Sequence, residues 1–164
     1  MAVELTAFVA AHADCFERTL AIGHITASAW VIDAAGTHAL LTHHRKLGRW
    51  LQLGGHADGD SDVRRVALRE AREESGLCGI RFATRAIYDL DVHLIPARPD
   101  EPQHRHYDVR FAFVADRAAA LTVSPESHEL AWLPVAELDA GNVDSSVRRL
   151  ARKTARLLRN GSLP

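Results

Sequence analysis

The stretch from Asp62 to Gly76, reading DVRRVALREAREESG, constrains this chain more than any other. At about 100° per residue, Val63, Val66 and Ala67 share one arc of a helix, which Glu70, Glu73 and Glu74 continue one to two turns later within roughly 100°. Arg65, Arg69 and Arg72 take the opposite side, and Gly76 closes the helix. The acids therefore extend the inward-facing stripe, whereas a solvated face would carry both signs on the outside. Carboxylates near a helix C-terminus are disfavoured by about 0.3–1 kcal/mol each at exposed sites. Like charges at i, i+3 and i+4 also repel. Arg69 supplies part of the compensating charge and a divalent cation would supply more. An all-oxygen carboxylate site suits Mg²⁺ or Mn²⁺ rather than zinc. On this geometry alone, an ordinary charged helix with incidental Glu–Arg pairs stands as the alternative.

The periodicity elsewhere predicts a mixed α/β or α+β chain. Leu5, Phe8, Val9, His12, Cys15, Phe16 and Leu20 recur at helical spacing, which predicts a helix over about 3–20, ended by Gly23. His24 to Asp33 reads as a strand, and Ala39 to Leu41 as a second after a turn at Ala35-Gly36. Further strands are expected from Ile80 to Val92 and from Tyr107 to Ala115. The intervening IPARPDEPQHRH, with three prolines, reads as a long loop. Val147, Leu150, Ala151, Thr154 and Leu158 mark a basic helix over about 145–159. With no repeat or linker, residues 1–164 read as a single domain.

Charge narrows the functional classes. Twenty Lys+Arg against 21 Asp+Glu give a formal net charge of −1, which excludes a generally basic nucleic-acid coat. No apolar run approaches the roughly 18 residues of a membrane span. The N-terminal stretch, interrupted by Glu4, His12, Asp14, Glu17 and Arg18, does not read as a signal peptide. Cys15 and Cys78 look like lone residues on apolar stretches. The expectation is a soluble, cytoplasmic protein.

From Gly55 the chain runs GHADGDSDVRRVALREAREESGL. This resembles the Nudix box, G-x5-E-x7-R-E-U-x-E-E-x-G-U, where U is a bulky aliphatic residue. Gly55, Arg69, Glu70, Glu73, Glu74, Gly76 and Leu77 match in register. A tryptophan-containing segment, Trp132-Leu133-Pro134, precedes the terminal helix as the family layout asks. The resemblance implies an α/β/α sandwich around a mixed sheet and a Mg²⁺- or Mn²⁺-dependent hydrolase. Such an enzyme cleaves the diphosphate linkage of a nucleoside diphosphate derivative or related organic pyrophosphate by attack of metal-activated water. Two positions depart from the pattern. Ser61 stands at the motif's first glutamate, with Asp60 and Asp62 as possible substitutes in pairing with Arg69, and Ala71 replaces a bulkier aliphatic.

The resemblance also assigns roles. Arg69, Glu70, Glu73 and Glu74 form the catalytic set. Glu73 and Glu74 are metal ligands, and Glu70 is a third ligand or the base that orients water. A backbone carbonyl of Gly54 or Gly55 can complete the coordination, since glycine allows close approach. Relatives add an acid from a loop near the end of the sheet; Glu126 is preferred here over Glu129. His56, Trp50, Arg45, Lys46, His104, Arg105 and Tyr107 are candidate substrate contacts, with core packing the alternative for the two aromatics. Of 10 histidines, neither His43-His44 nor His104 with His106 has the spacing of a closed zinc motif, and they read as surface or hydrogen-bonded groups. A non-catalytic nucleotide-binding module is the first rival. An RNA-associated protein is the second, using Arg148, Arg149, Arg152, Lys153, Arg156 and Arg159 of the last helix, although nucleic acid is not the expected partner.

Overall fold

The structure, a computed structural model, describes residues 1–45, 47–125, 127–141 and 143–161. Its elements run α1 (Ala2–Ala11), β1 (Gly23–Ile32), β2 (His38–His44), β3 (Arg49–Leu51), β4 (Leu53–His56), α2 (Val63–Ser75), β5 (Arg81–Phe82), β6 (Asp89–Ile95), β7 (His104–Val114), β8 (Ser127–Pro134) and α3 (Ser145–Arg159). β1 and β7 lie parallel over ten residue pairs, from Gly23 opposite Arg105 to Ile32 opposite Val114. Every other pairing between these strands is antiparallel. On its second edge β1 meets β4 along its first half and β2 near its end. β5 and β6 share the far edge of β7.

Period-two alternation divides the central strands between two cores. Ile25, Ala27, Ala29 and Val31 of β1, with Tyr107, Val109, Phe111 and Phe113 of β7, pack with Val66, Ala67 and Ala71 of α2. The intervening Trp30, Ile32, Ala112 and Val114 pack with Val147, Leu150 and Ala151 of α3. The result is the mixed α+β sandwich expected, with helices on opposite faces of a mixed sheet.

Three boundaries differ from the sequence reading. The first helix ends at Ala11 rather than near residue 20. His12 is extended, and Cys15, Glu17 and Leu20 donate backbone hydrogen bonds to the carbonyls three residues earlier. The Cys15 carbonyl accepts from Ile25 N–H at 2.7 Å, which fastens this segment to β1 and is incompatible with a continuing helix. The strand expected from Ile80 to Val92 is two strands. Ala83 N–H reaches the Ala112 carbonyl and Tyr88 N–H that of Arg110, while residues 84–87 loop away from the β7 edge. The proline-bearing loop is shorter than expected, because His104, Arg105 and His106 already belong to β7.

A buried hydroxyl joins α3 to the sheet. Thr154 Oγ1 accepts from Trp30 Nε1 at 2.9 Å, lies 2.9 Å from the Tyr88 hydroxyl and donates to the Leu150 carbonyl. Thr154→Val keeps the shape and leaves the buried indole N–H without an acceptor, a loss of about 1–3 kcal/mol. We expect the urea midpoint to fall accordingly with an unchanged slope, and equilibrium denaturation measures both.

Candidate active site

Asp62 starts α2 by accepting Arg65 N–H at 3.3 Å on its side chain. Gly76, at φ +72°, ends it in the left-handed region that favours glycine. Between these caps, buried Val66, Ala67, Ala71 and Ser75 hold the helix on the sheet. This sets Glu70 and Glu74 beside the glycines of β4. A Cβ at residue 55 would overlap the Glu70 carboxylate, so the close approach requires Gly55. Glu74 Oε2 accepts the Gly54 N–H at 3.3 Å. Arg69 Nη2 donates both to Glu70 Oε1 at 2.7 Å and to the His56 carbonyl at 2.9 Å.

The inward stripe therefore holds for Glu70 and Glu74. Glu73 turns outward, its side chain 64% exposed, with Oε1 4.0 Å from Arg69 Nε. Arg69 folds inward, away from the solvent side that Arg65 occupies. Burial pushes the Glu70 carboxyl above its ordinary pKa, and the pull of Arg69 in the other direction does not cancel it.

Neither neighbour of Ser61 takes over the pairing with Arg69. Asp60 binds Arg65 through both oxygens, at 2.6 and 2.7 Å, and Asp62 is spent on the helix cap. The preceding loop is fixed from outside the motif. Arg18 makes two bonds to Asp58, at 2.5 and 2.6 Å, and Gly59 N–H reaches the Phe16 carbonyl. Asp58 and Gly59 both have positive φ, at 50° and 83°. Sequence reasoning missed Arg18 and Asp58. The Asp-Gly pair is the local signal for a left-handed turn, but nothing in the sequence connects it to residue 18.

The remaining candidates scatter. Tyr107 does not offer its ring to a base: it is buried and stacked on Phe8, with centroids 3.9 Å apart at 8°. Trp50 packs against the α3-side core and lies edge-on to His43. Arg45 donates to the Ser127 carbonyl at 3.2 Å, and Arg105 pairs with Glu4 at 2.6 Å. Glu129 is exposed on β8, opposite His43. Glu126 and Lys46 lie outside the described residues. Cys15 is buried, whereas Cys78 is exposed.

The histidines correct the sequence reading most. His24 of β1 stands opposite His106 of β7, His106 opposite His93 of β6, and His56 of β4 opposite Thr26, two residues along β1 from His24. One face of the sheet thus carries a row of imidazoles, with His104 beside it, and ring centroids lie 4.8–5.5 Å apart. Burial pushes His24 down to about 4 and His106 down to about 2, assisted by the neighbouring imidazoles, and lowers His56 too. These three rings are neutral at pH 7.

A mixed sheet that carries, on one face, a helix whose carboxylates reach round a glycine edge belongs to the class of Nudix-fold α+β sandwiches. The NUDIX domain model matches residues 23–154, and the chain belongs to the Nudix family of pyrophosphohydrolases. Solved structures bear the fold out. The chain is similar to a C. elegans Ap4A hydrolase binary complex at 16% identity, covering 83% of this chain and 98% of that one, with TM-score 0.66. A Nudix-family hydrolase from Clostridium perfringens gives 21% identity, 82% and 97% coverage and TM-score 0.64. A Nudix hydrolase from M. Smegmatis gives 19%, 82% and 88%, and 0.61. No curated protein sequence matches the chain.

Gly55→Ala tests the glycine edge. Since the obstructing atoms end a flexible side chain, the fold should survive while the Glu70 carboxylate swings off Arg69. We expect a melting temperature close to wild type and a displaced Glu70 in the crystal structure of the variant.

Proposed function

We propose that the chain hydrolyses the diphosphate linkage of a nucleoside diphosphate derivative, with Mg²⁺ or Mn²⁺ held at the carboxylates of α2. The observation that carries this reading is Glu70, half-buried against Gly55 with an elevated proton affinity and Arg69 as its partner. The oxygen-only donor set of Glu70, Glu73 and Glu74 fits a hard dication, and a backbone carbonyl of Gly54 or Gly55 would complete the coordination, since the carboxylates already approach these glycines closely. When bound, the cation neutralises phosphate oxygens and lowers the pKa of a coordinated water.

The protein's own residues do the rest. Arg69, anchored on the His56 carbonyl, fixes the orientation of Glu70. Glu70 then acts as a ligand or holds the proton of the attacking water. Glu74 is steadied by the Gly54 N–H, while exposed Glu73 lies within reach of Arg69. The C. elegans Ap4A hydrolase fold supports a nucleotide substrate. His56 meets this machinery through its backbone carbonyl, which binds Arg69, while its ring belongs to the imidazole face. Among the described residues no helix is long and apolar enough to cross a membrane. The RNA-binding reading has less support. Arg149 is committed to Asp89 and Asp91, Arg152 to Asp139, and Lys153 to the Tyr88 carbonyl.

A panel of dinucleoside polyphosphates, NDP-sugars, NADH and NTPs, assayed with Mg²⁺ and Mn²⁺, tests the activity. Glu70→Gln should fold normally and turn over at least about a hundredfold more slowly. Glu73→Gln with Glu74→Gln should remove the rise in melting temperature that Mg²⁺ produces by mass action. A wild type that binds a nucleotide and cleaves nothing in the panel would replace hydrolysis with a binding function.

A further inference from the structure

The row of imidazoles lies across β4 from the carboxylates, and no part of the proposed hydrolysis uses its centre. His24 is 1% exposed, and among the described residues neither of its ring nitrogens has a hydrogen-bond partner. The Leu20 backbone lies close enough to favour its protonated form slightly without making that bond. A buried polar ring left unpaired is costly, and such a group calls for an explanation. Its surroundings supply one. His24, His56 and His106 each offer a ligand atom, and these atoms all lie within 4.8 Å of one another.

We propose that His24, His56 and His106 form a second metal site, taking one zinc-class transition-metal dication apart from the carboxylate site on α2. Neutral imidazole nitrogens suit borderline ions such as Zn²⁺ and Co²⁺, whereas Mg²⁺ prefers oxygen. Around a tetrahedral zinc at about 2.0–2.1 Å, ligand nitrogens stand about 3.3 Å apart. The three ligand atoms already lie within 4.8 Å of one another, and His56 and His106, which are only half-buried, can turn toward His24 to reach that spacing. The surroundings resemble an outer shell of a metal site. His104 Nδ1 donates to the Pro102 carbonyl at 2.9 Å, which turns its Nε2 toward His106 Nε2, 3.2 Å away. A metal-bound histidine characteristically uses its second nitrogen in such a bond. Three protein ligands leave a fourth position for water or another donor.

The test is calorimetric titration of chelator-stripped full-length protein with Zn²⁺ in excess Mg²⁺, together with the visible absorption of the Co²⁺ form. We expect one equivalent of Zn²⁺ to bind and Co²⁺ to show the intense bands of four-coordination. Glu73→Gln with Glu74→Gln should bind equally well. His56→Ala and His106→Ala should each weaken binding at least about tenfold. Imidazole NMR of the unaltered protein covers the case of a variant that does not fold, because added Zn²⁺ should shift the His24, His56 and His106 resonances together. The proposal fails if no Zn²⁺ binds in excess Mg²⁺, if binding disappears in the glutamine double variant, or if these resonances stay put.

Discussion

The parallel pairing of β1 with β7 positions everything else in this molecule. Both strands are shielded on their two faces, so their alternating residues must satisfy two different surroundings along ten paired positions. One set, from Ile25 opposite Tyr107 to Val31 opposite Phe113, is apolar and receives α2. The other changes character along its length: Trp30, Ile32, Ala112 and Val114 are apolar beneath α3, Ser28, Asp108 and Arg110 follow, and His24 and His106 complete it. β4 is added to the free edge of β1 at its first half, so Gly55 and His56 point to opposite faces. Two kinds of donor chemistry are thereby separated by the thickness of one strand.

That separation has an electrostatic consequence. The carboxylate side lacks cationic charge, since Arg69 serves a half-buried Glu70 and lies near Glu73 as well. The imidazole side has the opposite character, because crowding and burial keep its rings from charging. Arg69 is a direct polar connection between them, reaching Glu70 with its side chain and β4 through the His56 carbonyl. Its orientation thus depends on the backbone of the strand that carries His56.

Local patterns made α2 legible in the sequence. The closing Gly76, the apolar stripe and the inward acids Glu70 and Glu74 all sit within one helix, so spacing describes their geometry, and only Glu73 among the acids turns outward. The α3 boundaries were legible for the same reason, with Asp144 as cap. What the sequence concealed came from long-range register. The first helix stops early because Cys15 must meet Ile25, and Tyr107 is unavailable for stacking because Phe8 covers it. The imidazole row draws on β1, β4, β6 and β7, so no spacing within one segment announces it. The inward turn of Arg69 belongs here too: helical position put it with the arginines facing solvent, and the bond to a carbonyl 13 residues away pulled it back.

The polar residues between the α3 core and the histidines show why α3 is basic. Asp108 is buried and accepts from Thr26, Ser28 and Arg110. Arg110, equally buried, reaches Asp91 at 3.2 Å, and exposed-edge Arg149 closes the set by binding Asp89 and Asp91. Burial alone would raise the Asp91 pKa, but His93, Arg110 and Arg149 together hold it well below the carboxylate range. Three acids inside the sheet face two arginines, so removing Arg149 would leave buried negative charge uncompensated. A buried ion network of this kind is weak evidence for stability, because desolvation offsets much of the attraction. Its geometric effect is firmer. Arg149 can satisfy both acids only when α3 lies at one position along β6, and that same position brings Thr154 under Trp30. The helix charges are therefore used to seat α3 on the sheet, which is a structural reason for the basic run that requires no nucleic acid.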